Sequence, residues 1–283
     1  MQNRRNFIKT LSAASVAALT LPKGLLAMSK EKIIGIQLYT IREMVQEDLE
    51  GTLSLIADIG YRSVEAAGYN KRKFYGLFPK EYKKMVEDYG LLPLSTHSKV
   101  TLENAQKTID DSLEAGMKYL VLPWLPEEKR KTLDDYKRIA EEFNQIGAMC
   151  QKSGLVFGYH NHEFEFKKMK GIIPYDILLE NTDPEFVMME LDLYWIVYGG
   201  YNPTEYFQKY PNRFKLWHVK DMADTPEMES TEVGKGIINF QQAFKNQKLA
   251  GMEYVFVEQE SFKMEPEESI AISYHYLKNL TSF

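Results

Sequence analysis

The chain has five histidines in 283 residues, and four of them, His97, His160, His162 and His218, stand at the C-terminal ends of short apolar runs. Four successive runs in the second half end in Tyr159-His160-Asn161-His162-Glu163, Glu190-Leu191-Asp192, Trp217-His218-Val219-Lys220-Asp221 and Val257-Glu258-Gln259-Glu260. Each end delivers an imidazole or a carboxylate. Nitrogen and oxygen donors without a thiolate suit one divalent metal ion: Mn²⁺, Mg²⁺, Co²⁺, Zn²⁺ or Fe²⁺. The expected ligands are His160, Asp192, His218 and Glu258. Taken singly, each has a plainer reading: a hydrogen-bonded strand-end histidine, a helix cap at Asp192, a lysine partner at Glu258. Their joint placement on successive ends is what points to a metal. Period-two alternation puts His162 on the side of His160, Lys220 with His218, and Glu260 with Glu258. The second member of each pair then stands above the ion, where a substrate would sit.

For these ends to share a rim, the runs must be strands of one sheet. Hydrophobic period and turn residues place strands near Ile33–Tyr39, Ser63–Ala66, Leu92–His97 and Tyr119–Pro123. Four more follow near Val156–His160, Val187–Asp192, Phe214–Val219 and Tyr254–Glu258. Helical patterns lie between them over Asp48–Ile59, Lys80–Tyr89, Leu102–Ala115, Leu133–Lys152, Tyr175–Glu180, Pro203–Tyr210 and Phe240–Gln247, and Glu267–Asn279 closes the chain. Gly60, Gly90, Gly116 and Gly154 stand where helices should stop, since glycine takes the left-handed conformation at little cost. Eight strand–helix units with strands apolar on both faces predict an α/β fold, a (β/α)8 TIM barrel in one domain. No G-x-G-x-x-G follows the first strand, which removes the main reason for a dinucleotide fold. Gly234-Lys235-Gly236 follows the seventh strand, where barrels often hold a polar or anionic part of a ligand, and Lys235 is a candidate substrate contact.

The first residues stand apart from this rhythm. Arg4, Arg5 and Lys9 precede a mild apolar run from Leu11 to Leu21, then Pro22 and the small Ala27. This is the layout of a secretory signal, too short to span a bilayer. The Arg4-Arg5 pair resembles a twin-arginine signal, used to export folded proteins. A leader over 1–28 and a barrel over 29–283 are therefore expected, with the mature protein in the periplasm. The single cysteine, Cys150, cannot form an internal disulfide and is expected to be an inert core residue. With a net charge of −5 and scattered Lys and Arg, no nucleic-acid surface is marked. No second hydrophobic span follows.

The segments GYHNHEFEF (Gly158–Phe166), ELDLYW (Glu190–Trp195), LWHVKD (Leu216–Asp221), EVGKGIINF (Glu232–Phe240) and VFVEQE (Val255–Glu260), with GIQLYTIRE at Gly35–Glu43, carry a likeness. The chain resembles the sugar phosphate isomerase/epimerase family with the xylose isomerase-like barrel, which includes ketose 3-epimerases, hydroxypyruvate isomerases and inosose dehydratases. The resemblance implies one metal ligand from each of strands five to eight, commonly Glu, Asp, His and Glu. Asp192, His218 and Glu258 match the last three. His160 stands where the epimerases place a glutamate that works with the strand-eight one across the sugar. Trp195 likewise replaces a histidine usual in the epimerases. The YHNH and DLYW patterns resemble the dehydratase and keto-sugar lyase side of the family.

The implied chemistry is proton abstraction from a carbon beside a carbonyl, with the metal stabilising the enediolate. Returning the proton elsewhere gives an epimer or isomer; expelling a β-oxygen makes the enzyme a dehydratase or lyase. Glu258 is expected to be ligand and base, with His162 and Lys220 as acid/base or electrostatic partners. Glu65 and His97 are candidate substrate contacts, and Trp124 and Trp195 either stack on a sugar face or pack in the core. A metal-dependent sugar isomerase or epimerase is the leading expectation. A lyase or dehydratase acting on 3-keto-sugars or keto-glycosides comes second, and a non-catalytic periplasmic carbohydrate-binding barrel third. Export favours free sugars, keto-sugars or glycosides over sugar phosphates as the small carbohydrate substrate. An acidic chain repels DNA, which counts against a nuclease.

Overall fold

Eight parallel strands close on themselves: β1 Ile34–Gln37, β2 Ser63–Ala66, β3 Leu92–His97, β4 Tyr119–Leu122, β5 Val156–His160, β6 Val187–Asp192, β7 Phe214–Val219 and β8 Tyr254–Val257. The order around the barrel is β1-β8-β7-β6-β5-β4-β3-β2. Closure is made by β1, where Ile36 lies opposite Val257 on one side and Val64 on the other. The computed structural model describes residues 33–283, so the leader expected over 1–28 lies outside the described residues. Every strand matches its expected bounds to within two residues.

Inward and outward faces alternate along each strand and build two apolar regions. One is the large cluster between strands and helices. The other is small: Leu94, Tyr119, Val121, Met188, Leu216 and Phe256. Met188, Leu216 and Phe256 each stand two residues before a polar residue (Glu190, His218, Glu258), so they plug the barrel beneath these. Gly35 and Gly158 make room for that plug. A β-carbon on Gly35 would come within 2.4 Å of the Phe256 ring, and one on Gly158 within 2.3 Å of the Met188 methyl. With the floor filled, the C-terminal mouth is the place left for a ligand.

The return helices run over Leu49–Ile59, Pro79–Asp88, Ala105–Glu114, Leu133–Ser153, Pro174–Asn181, Pro203–Lys209 and Pro266–Asn279. The longest, Leu133–Ser153, starts on a capping box in which Thr132 and Asp135 exchange side-chain and backbone hydrogen bonds. It stops at Gly154 with φ 85°. Cys150 is buried on its inner face, and burial pushes its thiol up to about 12, which keeps it inert. The helix expected over Phe240–Gln247 is two short ones, Phe240–Lys245 and Gln247–Ala250, broken at Asn246. Two short helices and two hairpins go beyond the expected pattern: Arg42–Glu47, Leu193–Tyr198, the Tyr69–Asn70/Lys73–Phe74 pair and the Asp221–Met222/Ser230–Thr231 pair. All four follow strand ends, where the polar residues gather. Among the described residues no helix is long and apolar enough to cross a membrane.

Candidate metal centre and the cavity above it

β5 to β8 bring His160, Asp192, His218 and Glu258 together, with one donor atom from each lying within 4.8 Å of the others. All four side chains are buried. His160 Nδ1 lies 3.0 Å from the Pro123 carbonyl, which can only accept, so Nδ1 carries the proton. That leaves the lone pair of Nε2 pointing inward, 3.5 Å from Asp192 Oδ2. Asp192 divides its carboxylate. Oδ1 caps the Leu193–Tyr198 helix by accepting from the Tyr194 and Trp195 amides at 2.8 and 3.0 Å, while Oδ2 stays free. Asn161, the residue after β5, braces it, its Oδ1 accepting from the Asp192 amide at 3.1 Å. On the far side His218 Nδ1 touches Glu258 Oε2.

The donor set fits a divalent cation. His160 Nε2 and Asp192 Oδ2 are buried without a hydrogen bond, and His218 Nδ1 and Glu258 Oε2, also buried, meet only each other. Such orphaned polar atoms are costly unless something joins them. Two imidazole nitrogens and two carboxylate oxygens are what Zn²⁺, Mn²⁺, Fe²⁺ or Co²⁺ accept. The charges agree. Burial alone would raise Glu258, but the nearby cations of Lys220 and His218 outweigh it and hold the carboxyl well below its ordinary range. Burial would likewise lower His218, but the charges of Glu190 and Glu258 push it well above its ordinary value. The cluster therefore attracts positive charge, and a proton on His218 is what a cation would displace.

Directly beneath lies a second tier. His97 Nε2 is 2.7 Å from Glu190 Oε2 and 3.3 Å from Glu65 Oε2. His218 Nε2 is 3.3 Å from Glu65 Oε1. Burial raises Glu65 well above its ordinary value, with the charge of Glu190 adding to it. For Glu190 burial acts upward as well, but His218 and His97 overcome it and hold the carboxyl at about 2. Burial takes His97 down to about 4 against the pull of Glu190.

Above the ring opens a cavity of about 950 Å³, lined by His97, His160, His162, Trp195, Glu258 and Glu260 at its base and by Tyr39 and Trp124 at its mouth. His162 stacks on Phe164 with ring centroids 5.6 Å apart, and burial holds its imidazole well below the ordinary value, hence neutral. Lys220 is buried in contact with Glu260, its ammonium 4.6 Å from the centre of the Trp195 ring and 4.9 Å from that of Tyr194. Burial works against its charge, but Glu258 and Asp192 more than compensate and keep it protonated. One wall is the Tyr69–Phe74 hairpin. Lys71 and Arg72 sit there at φ 47° and 64°, left-handed positions that cost non-glycine residues energy. Asp111 holds them, accepting from Arg72 at 2.7 and 3.0 Å and from the Tyr69 hydroxyl at 2.7 Å.

The structure thus gathers His97, His160, His162, Asp192, Trp195, His218, Lys220 and Glu258 at one mouth, with Trp124, 40% exposed, at its edge. Two residues expected to touch substrate are placed otherwise. Glu65 is fully buried below the ring and does not line the cavity. Lys235 lines a separate cavity with His275 and Tyr276. The Gly234–Gly236 loop does bind an anion, but an internal one. The Gly234 and Gly236 amides donate to Asp221 Oδ2 at 2.8 and 2.9 Å, and those of Met222 and Ile238 to Oδ1 at 2.8 and 3.1 Å. Sequence reasoning missed Glu190, Asn161 and Glu165. Glu190 was within reach of it: alternation sets it on the face of Asp192, one step lower.

Residues 53–280 match the xylose isomerase-like TIM barrel family. The chain belongs to it. A sugar phosphate isomerase/epimerase from Parabacteroides distasonis is 34% identical, with 90% of this chain and 96% of that one covered and a TM-score of 0.80. The inosose dehydratase of Geobacillus kaustophilus is 26% identical over 60% of this chain and 61% of its own length. The match spans 61% and 56% of the length of two curated relatives and 29% to 42% of several others. The IolI protein, solved with a bound zinc atom, shares the barrel at a TM-score of 0.69 and 16% identity, a likeness of fold. The relatives that share the family thus carry the names of a sugar phosphate isomerase/epimerase and an inosose dehydratase.

Proposed function

We propose that this member of the family uses a divalent ion at His160, Asp192, His218 and Glu258 to remove a proton beside a carbonyl of a cyclic sugar-like substrate, then expels a β-oxygen as a dehydratase or lyase. One observation carries the choice of elimination. Both nitrogens of His160 are committed, Nδ1 to the Pro123 carbonyl and Nε2 to the metal position, so it cannot replace the acid/base carboxylate of the epimerases. The bound ion would supply positive charge for the oxygen anion that develops as the proton leaves. Glu258, held ionised and lining the cavity, takes the proton and can pass it to the departing β-oxygen, which leaves as water or an alcohol. Lys220 fixes a positive charge beside the rim, and the indole of Trp195 beneath it offers a face to the ring of the substrate. At about 950 Å³ the cavity lies at the large end of ligand clefts, and exposed Tyr39 and Trp124 flank its mouth, which supports a glycoside rather than a single small sugar.

An isomerase or epimerase is the second reading, favoured by His162. Its neutral ring lies 5.0 Å from that of His160, and a neutral imidazole can accept a proton and return it at a second position, as epimerisation or isomerisation requires. The test is to incubate Mn²⁺-loaded protein in D₂O with a 3-keto-glucoside and with an inosose, following the reaction by NMR and ultraviolet absorbance. An unsaturated ketone or its hydrate supports elimination, and a deuterated epimer or isomer supports the second reading. No deuterium uptake by any keto-sugar, with metal bound, overturns both. We further propose that the protein works after export through its Arg4-Arg5 leader. Cell fractionation of an Arg4→Lys, Arg5→Lys variant tests this, and an unchanged periplasmic share counts against it.

A further inference from the structure

The tier beneath the proposed metal ring contains more donors than are needed to orient one histidine. Glu65, His97, Glu190 and His218 come from β2, β3, β6 and β7, and one donor atom from each lies within 4.8 Å of the others. The two carboxylates are fully buried, yet Glu65 Oε2 and Glu190 Oε1 have no hydrogen-bond partner. Backbone irregularity coincides with both. The β2–β3 register shifts between Val64 and Glu65, and the β6–β7 register between Met189 and Glu190. Bulges of this kind re-aim a side chain next to a site, and here two of them turn carboxylates into one point.

From these features we infer a second divalent-cation site at Glu65, His97, Glu190 and His218, so that His218 bridges two ions, Nδ1 toward the upper one and Nε2 toward the lower. The inference rests on the upper site of the proposed function. Donor atoms bound at about 2.0–2.2 Å in a tetrahedron lie about 3.3–3.6 Å apart. His97 Nε2 and His218 Nε2 lie 2.7 and 3.5 Å from the same oxygen, Glu190 Oε2, and each lies 3.3 Å from an oxygen of Glu65, Oε2 for His97 and Oε1 for His218. His97 lines the open cavity, which gives the lower ion a way in.

The experiment is a Mn²⁺ titration of metal-free protein, read by bound metal after gel filtration and by electron paramagnetic resonance. Wild type should bind two equivalents and give an exchange-coupled spectrum. His97→Gln and Glu65→Gln, each checked for folding by circular dichroism, should bind one equivalent and give the six-line signal of an isolated ion. One equivalent in wild type at saturating Mn²⁺, with the six-line signal, overturns the second site and leaves the proposed function standing. No bound metal in wild type overturns both.

Discussion

His160 and Asp192 face each other with Nε2 and Oδ2 3.5 Å apart, each held in place by its other polar atom, one on the Pro123 carbonyl and one on a helix N-terminus. The arrangement gives Asp192 two separable duties. In Asp192→Asn an amide oxygen can still cap the helix, whereas Asp192→Ala removes cap and ligand together. Stability should fall by about 1 kcal/mol more for alanine than for asparagine, while both variants lose metal affinity at least about tenfold. Thermal melts of the metal-free proteins and Mn²⁺ binding isotherms check this. Equal melting of the two variants counts against the cap, and undiminished binding against the ligand.

Lys220 is the buried cation nearest the rim that is not a metal donor. In Lys220→Met the hydrophobic contact with Trp195 and Tyr194 is largely kept and the charge is lost. Turnover should drop on the order of 10²–10⁴-fold with metal content unchanged. Steady-state rates beside bound-metal measurements decide the matter, since a variant that loses its metal would make Lys220 a structural counter-charge.

Glu165 gives a pH dependence with a definite sign. Burial pushes its carboxyl up to about 8, against hydrogen bonds from the Tyr159 hydroxyl and the His162 amide that pull it down. The folded state therefore keeps a proton that the unfolded chain releases near 4.5. The resulting stability is fully present below that value and is lost as pH rises to about 8. Glu165→Gln has no such proton to lose. Urea unfolding at pH 5, 6.5 and 8.5 should show wild type losing about 1–4 kcal/mol relative to the variant over that range. A difference that does not change with pH would mean that Glu165 is ionised throughout.

The eight strands and the upper ring were legible because strand period and strand-end chemistry are local properties. His160, Asp192, His218 and Glu258 each close an apolar run, and the barrel converts that position in sequence into a position on the rim. The lower tier was not legible in the same way. Glu190 lies inside a strand whose other residues are apolar or already assigned, and Glu65 belongs to β2, across the barrel from β6; only closure brings them together. The role of the Gly234–Gly236 loop was hidden for a related reason. Glycines with inward-pointing amides predict an anion without saying whose it is, and here Asp221, more than a dozen residues earlier, fills the place before any ligand can.

That internal anion separates Asp221 from Lys235 experimentally. Asp221→Ala leaves four amides without their acceptor, those of Met222, Gly234, Gly236 and Ile238, three of them in the loop that follows β7. Unpaired buried donors and the loss of charge-assisted hydrogen bonds should cost about 2–4 kcal/mol. Because Asp221 directly follows Lys220, the loss should also reach the rim and lower turnover. Lys235 is exposed on the other cavity, so Lys235→Ala should leave melting temperature and turnover unchanged. If Lys235→Ala instead raised KM while Asp221→Ala did not lower stability, the loop would be binding substrate after all, and its grip on Asp221 would be incidental.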